Sequence, residues 1–158
     1  MFKISRKTDY AVVFLTLLAQ NRGQGFVSLT ELSNQFNIPY RFLSKIATNL
    51  HHLGIVRAKE GVDGGYELAC DPREVTFADI LRATEGDLEM MRCLSKHESC
   101  SIRTICPSRV VWVEIQMKVN EIIDGYTLQD ILDQRLHSGK RFTLQQEPRD
   151  AHNLQPSR

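Results

Sequence analysis

No stretch of this chain is long and apolar enough to cross a bilayer. The longest, Ala11 to Ala19, is broken by Thr16 and falls well short of the ~20 residues a spanning helix needs. It follows Lys3, Arg6 and Lys7 as a secretory h-region would, but Asp9 interrupts the charges and no A-x-A site comes after Ala19. A cytoplasmic protein is expected. Charge of one sign is lacking too: 20 Lys+Arg face 19 Asp+Glu, a formal net charge of +1, which taken whole argues against a nucleic-acid partner. Cysteine is sparse, at four in 158 residues, so this is no disulfide-dense secreted scaffold. An enzyme is not expected either. The one histidine pair, His51-His52, has no neighbouring nucleophile or carboxylate dyad and suits a helix end, where it caps the last carbonyls. No internal repeat is visible.

What is present is a core-forming composition, 42% apolar and 25% charged, enough for one domain with an appendage. Tyr10, Val13, Phe14, Leu17 and Leu18 fall at amphipathic helical spacing and predict a helix over 6–21, stopped by Arg22-Gly23-Gln24-Gly25. Ser28-Leu29-Thr30-Glu31 reads as a capping box opening a short helix to Phe36. Asn37-Ile38-Pro39 breaks it. A further helix follows, with Leu43, Ile46, Ala47, Leu50 and Leu53 as its buried stripe and Gly54 in the left-handed cap. Next come two short strands, over 55–59 and 66–69, with Gly61, Asp63-Gly64 and Gly65 supplying the positive φ angles of the hairpin.

Helix, turn, helix, hairpin is the order of a winged helix-turn-helix. Thr76 caps another helix, over 77–84 and stopped at Gly86. Residues 90–106 have weak periodicity and read as a loop. Pro107 suits the first turn of a long helix with Val111, Trp112, Ile115, Val119, Ile122 and Ile123 on one face, and Thr127 caps a last helix over 128–136. The fold expected is mainly α with a small β-hairpin wing. Its parts are a winged helix-turn-helix head over 1–86, a cysteine loop over 87–106, dimerisation helices over 107–136 and a disordered polar tail over 137–158.

The balanced total hides a division. Residues 1–60 hold eight basic and three acidic side chains, and the remainder twelve and sixteen. The positive end is the one with the helix-turn-helix, where phosphate-neutralising residues belong. On the second helix of that motif, Tyr40, Arg41, Ser44, Lys45 and Thr48 face away from the apolar stripe, as base-reading residues of a recognition helix do. Ser28 and Thr30 at the preceding helix start, and Arg57 and Lys59 on the hairpin, complete a candidate double-stranded DNA interface.

Three cysteines cluster. Cys93 and Cys100 enclose six residues and Cys100 and Cys106 five, wider than the C-x₂₋₄-C pairs typical of zinc and suited to thiolates around an iron–sulfur cluster. The fourth ligand is open among His97, Asp9, Cys70 and an exogenous group. Zinc held by the three cysteines and His97 stays a competitor. So do a winged-helix regulator that senses thiol oxidation without a cluster, and an iron–sulfur electron-transfer protein.

The stretch Lys3 to Val12, the wing Gly61 to Ala69 and the three-cysteine loop resemble the BadM/Rrf family of winged-helix regulators, which includes iron–sulfur assembly regulators and nitric-oxide sensors. The resemblance covers residues 2–136. It implies a homodimer joined through the long helix, two winged heads on a palindromic operator, and a [2Fe–2S] or [4Fe–4S] cluster on Cys93, Cys100 and Cys106. The first cysteine gap is one residue longer than in the assembly regulators, and their histidine ligand is replaced by Arg109, which has no lone pair to give. Asp9 falls where the nitric-oxide sensors place an acidic ligand from the other subunit. It is the first choice for the fourth ligand, and His97 the second.

Overall fold

The computed structural model describes residues 4–91, 94 and 100–134. In chain order the elements are α1 (Arg6–Gln20), α2 (Leu29–Phe36), α3 (Tyr40–His52), β1 (Val56–Lys59), β2 (Gly65–Leu68), α4 (Phe77–Glu85), α5 (Arg109–Gly125) and α6 (Leu128–Leu132). The expected winged helix-turn-helix is present.

Helix α1 starts at Ser5, whose hydroxyl accepts from the Lys7 amide at 3.3 Å. Its innermost face is Thr8, Ala11, Phe14, Leu15 and Leu18, one residue round from the predicted stripe. Tyr10, Val13 and Leu17 pack beside that face, half-buried. The stripe is broader than periodicity suggests because α1 is covered by α3, α4, β2 and α6 together.

The Ser28 hydroxyl caps α2 by accepting from the Thr30 amide at 3.2 Å; the expected reciprocal bond from Glu31 is not formed, and Glu31 points to solvent. Asn37, at φ +52, turns the chain, and the Ser33 hydroxyl donates to the Ile38 carbonyl at 2.7 Å. Leu43, Ile46, Ala47 and Leu50 of α3 are buried, whereas Leu53 is 46% exposed. Leu53 is already past the last helical turn, and Gly54 at φ +72 carries the chain away.

The strands pair antiparallel, Val56 with Leu68 and Lys59 with Gly65. Val27 extends the hairpin, exchanging two 2.9 Å backbone bonds with Tyr66. Two of the four predicted turn positions, Gly61 and Gly65, have positive φ. Gly64 is needed for space instead, since a Cβ there would strike the Lys59 carbonyl oxygen.

Thr76 caps α4 in a reciprocal box with Asp79. The end of α4 is joined to the start of α1 by one carboxylate. Glu85 Oε1 accepts from the Ser5 amide at 3.1 Å, from the Ser5 hydroxyl, and from the Thr8 hydroxyl at 2.9 Å. Pro107 lies before α5 rather than in its first turn. It occupies the second position of the turn closed by the Arg109 amide on the Cys106 carbonyl at 3.3 Å, where its missing N–H costs nothing.

Helix α5 has no fully buried residue. Beyond it the chain returns to the head. The Leu128 amide donates to the Val75 carbonyl at 2.8 Å and the Phe77 amide to the Tyr126 carbonyl at 2.7 Å. Leu128, fully buried, joins the core. Helix α6, capped by Thr127 and Asp130, ends at Leu132, and the predicted end at 136 and the tail over 137–158 lie outside the described residues.

At Gly65 a Cβ would strike the Val27 backbone, and φ is +152. Gly65→Ala is therefore expected to cost about 2–3 kcal/mol through overpacking and backbone strain, read as a lower denaturant midpoint with unchanged slope.

Candidate nucleic-acid interface and cysteine loop

The N-termini of α2 and α3 and the hairpin enclose a cavity of about 310 Å³. Ser28, Thr30, Tyr40, Ser44 and Lys59 line it, together with Glu60, which sequence reading did not single out. Tyr40 is 52% exposed, and Arg41, Lys45 and Thr48 stand on the exposed face of α3. The nine predicted contact residues therefore fall on three adjoining elements, the start of α2, α3 and β1, but not all are equally free. Arg57 pairs with Glu67, its direct cross-strand neighbour, at 2.7 Å. The Thr48 hydroxyl donates to the Ser44 carbonyl at 2.9 Å. The Lys59 ammonium lies 5.7 Å from the centre of the Phe26 ring, and the Arg41 guanidinium 5.1 Å from that of Phe42. Asn49 ties α3 to α4 by donating to the Ala83 carbonyl at 2.7 Å.

Of the proposed ligands, Cys93 and His97 lie outside the described residues. Cys100 and Cys106 are half-buried and unbridged, and Asp9 is exposed on α1. Among the described residues no three His, Cys, Asp or Glu side chains gather into a metal site. The donor chemistry nevertheless suits thiolate ligation. The Ser108 hydroxyl lies 3.3 Å from Cys106 Sγ. Despite some desolvation, that hydroxyl, the amides of Ser108 and Arg109 and the charge of Arg109 hold the thiol below its ordinary range.

Cys70 is the opposite case. Burial, followed by the charge of Glu74, pushes its thiol up, and it donates weakly to the Ile55 carbonyl at 3.8 Å. Sequence reading also missed Gln116. Its side chain donates to the Leu88 carbonyl and accepts from the Met90 amide, both at 2.8 Å, which fixes the entry to the cysteine loop on α5. The Nε of Arg109 is buried without a partner among the described residues.

A basic second helix laid against a glycine-rich hairpin defines a winged-helix DNA-binding protein. The sequence profile of the Rrf2 family, described as an iron-dependent transcriptional regulator, matches residues 4–134. The chain belongs to that family of DNA-binding transcriptional regulators. It is 30% identical over 129 residues to the HTH-type transcriptional regulator CymR of Bacillus subtilis, covering 82% of this chain and 88% of that one. The solved structure of CymR, described as the global cysteine regulator of that organism, superposes with a TM-score of 0.66 at 29% identity, over 86% of this chain and 100% of that one. The HTH-type transcriptional regulator NsrR of B. subtilis is 28% identical over 131 residues, 82% of this chain and 90% of that one. A solved T. potens IscR matches with a TM-score of 0.62 and 28% identity, over 90% of this chain and 94% of its own. Among the described residues no helix is long and apolar enough to cross a membrane.

Ser108→Ala removes the largest contribution to the lowered Cys106 thiol. The pH at which Cys106 becomes alkylated should rise, and its alkylation at pH 7 should slow several-fold, followed by mass spectrometry of the peptide that contains it. A profile unchanged from wild type would contradict this account of the thiol.

Proposed function

We propose that this chain is a homodimeric, cytoplasmic regulator whose affinity for operator DNA is set by an iron–sulfur cluster on Cys93, Cys100 and Cys106. Asp9 of the other subunit is the first candidate for the remaining ligand and His97 the second. The observation that carries the reading is the setting of Cys106, a half-buried, unbridged thiol with the Ser108 hydroxyl 3.3 Å from its Sγ, a neighbour that favours the thiolate ligation requires. The bound group would supply a site that nitric oxide, oxygen or iron scarcity can destroy.

The rest of the reading concerns what the chain's own residues do. Arg41 and Lys45 meet the duplex from α3, Arg41 at a base edge and Lys45 at a phosphate. Tyr40, Ser44 and Thr48 adjoin them on α3, while Ser28 and Thr30 donate to phosphates. Lys59, with Arg57 wherever it leaves Glu67, serves the neighbouring backbone. The dimer forms over 107–136. Val110, Val111, Met117 and Ile122 of α5 are 73%, 56%, 65% and 59% exposed, an apolar surface that a partner helix would cover. Two heads related by that twofold axis read a palindromic operator. The head over 1–86, its core completed by Leu128 of α6, binds DNA, and the loop over 87–106 reports to it through Gln116 and the dimer helix.

The test is anaerobic purification, with iron and sulfide assays and a visible spectrum. Brown protein carrying iron and sulfide near one cluster per chain is expected, with DNA affinity changed when the colour is bleached. A colourless chain whose DNA binding responds instead to reversible oxidation of Cys106 would install the thiol-sensing reading. Zinc in place of iron would install the zinc reading, and a brown protein with no affinity for DNA the electron-transfer one.

On DNA, Lys45→Ala should weaken binding and reduce the slope of log K against log salt by about 1. Arg41→Ala should cost about 1–3 kcal/mol and relax preference at one base pair. Unchanged affinity for both at fixed salt would remove α3 as the reading helix.

A further inference from the structure

Glu85 occupies an unfavourable place for a carboxylate. It is the last residue of α4, where the helix dipole is negative and unpaired carbonyls rather than amides face the chain end. What holds it there is the start of α1. Its Oε1 takes the amide and hydroxyl of Ser5, the N-cap of that helix, and the hydroxyl of Thr8. Thr8 is the one polar residue buried in the core among the described residues, at 1% exposure, and its hydroxyl also lies 2.9 Å from that of Thr84. Partial burial opposes ionisation of Glu85, but the bonds from Ser5 and Thr8 and the charge of Lys7 outweigh it, and the carboxyl is held below its usual range.

One residue on either side gives this junction meaning. Asp9 follows Thr8 in the first turn of α1. Gly86, at φ +84, follows Glu85 and starts the segment that leads to the cysteines. One residue thus bonds to the turn that carries Asp9 and precedes the base of the loop in the chain.

We propose that Glu85 is a positioning residue for Asp9: it locks the first turn of α1 to the end of α4 and so sets where Asp9 is presented across the dimer. The proposal rests on the reading of Asp9 as a cluster ligand. Glu85 itself touches no cluster atom in this account and acts only through the turn it holds. Glu85→Gln keeps the shape and one acceptor oxygen but lacks the charge that three donors share, so the turn loosens without a hole in the core.

The test uses the full chain reconstituted anaerobically with ferrous iron and sulfide, as wild type, E85Q, D9A and the double variant. Visible circular dichroism and the rate of cluster loss to a chelator are the readouts. E85Q should alter the dichroism and speed the loss by about tenfold, the low end for a residue that orients a metal ligand. In the D9A background it should add nothing. An E85Q protein that matches wild type overturns the proposal. So does a double variant in which the two effects multiply, or a D9A protein with the wild-type spectrum and lifetime.

Colourless wild type after reconstitution overturns the cluster reading instead. Hydrogen exchange of residues 5–9 in the cluster-free protein then decides the local claim: faster exchange in E85Q supports the lock and unchanged exchange overturns it. If E85Q does not fold, Ser5→Ala removes one of the three bonds to Glu85, that of the hydroxyl, leaves the amide bond and the carboxylate in place, and carries the same comparison.

Discussion

Helix α1 is the element around which the head closes. Ala11, Phe14 and Leu15 are wholly inaccessible to solvent, and α3, α4, β2 and α6 all pack on this one helix. Burying a leucine or phenylalanine side chain contributes about 1.5–3 kcal/mol. An exposed ion pair such as Arg22–Asp71, at 2.9 Å with half-exposed partners, contributes about 0–1 kcal/mol. Packing on α1 therefore decides how α3, the hairpin and the returning chain are disposed, and the surface pairs adjust to it.

The same helix spans the two chemistries of the molecule. Its buried stripe supports α3 and the hairpin that together form the groove lined by Ser28, Tyr40 and Lys59. Its first turn presents Asp9 to solvent and is bonded to the end of α4. A displacement of α4, which also packs on α5, is felt at the start of α1 and at α3, where Asn49 reaches the Ala83 carbonyl. The path from the end of α4 to the exposed face of α3 is thus short and made of packed helices, in which two discrete arrangements are more natural than gradual bending.

Local rules carried most of the head. The breaks at Gly23, Asn37-Pro39 and Gly54, the caps at Thr76 and Thr127, and the hairpin glycines all act within a few residues of themselves, so periodicity and turn chemistry place them. Those rules fail where a residue's partner is remote or its turn has already ended. Leu53 continues the stripe on paper but follows the last turn of α3. Pro107 sits in a turn that only the Cys106–Arg109 bond defines. Glu85 and Ser5 meet across 80 residues, and no pattern in either segment announces it. At the candidate interface the exposed face of α3 was legible from its apolar complement. The engagement of Arg57 by Glu67 was not, because strand register fixes it.

Backbone bonds between 126–128 and 75–77 make the head discontinuous in sequence, since Leu128 fills its core only after the loop and α5 have been made. On the ribosome the core of the head is consequently completed only once α6 has been made. A nascent chain carries its thiols and its apolar α5 surface before the head can close. Closing the intervening ~50 residues carries an entropy cost that grows only slowly with length. The segment between α4 and α6 can therefore gain or lose a residue with little penalty to the fold, so its length and chemistry can vary on a constant head.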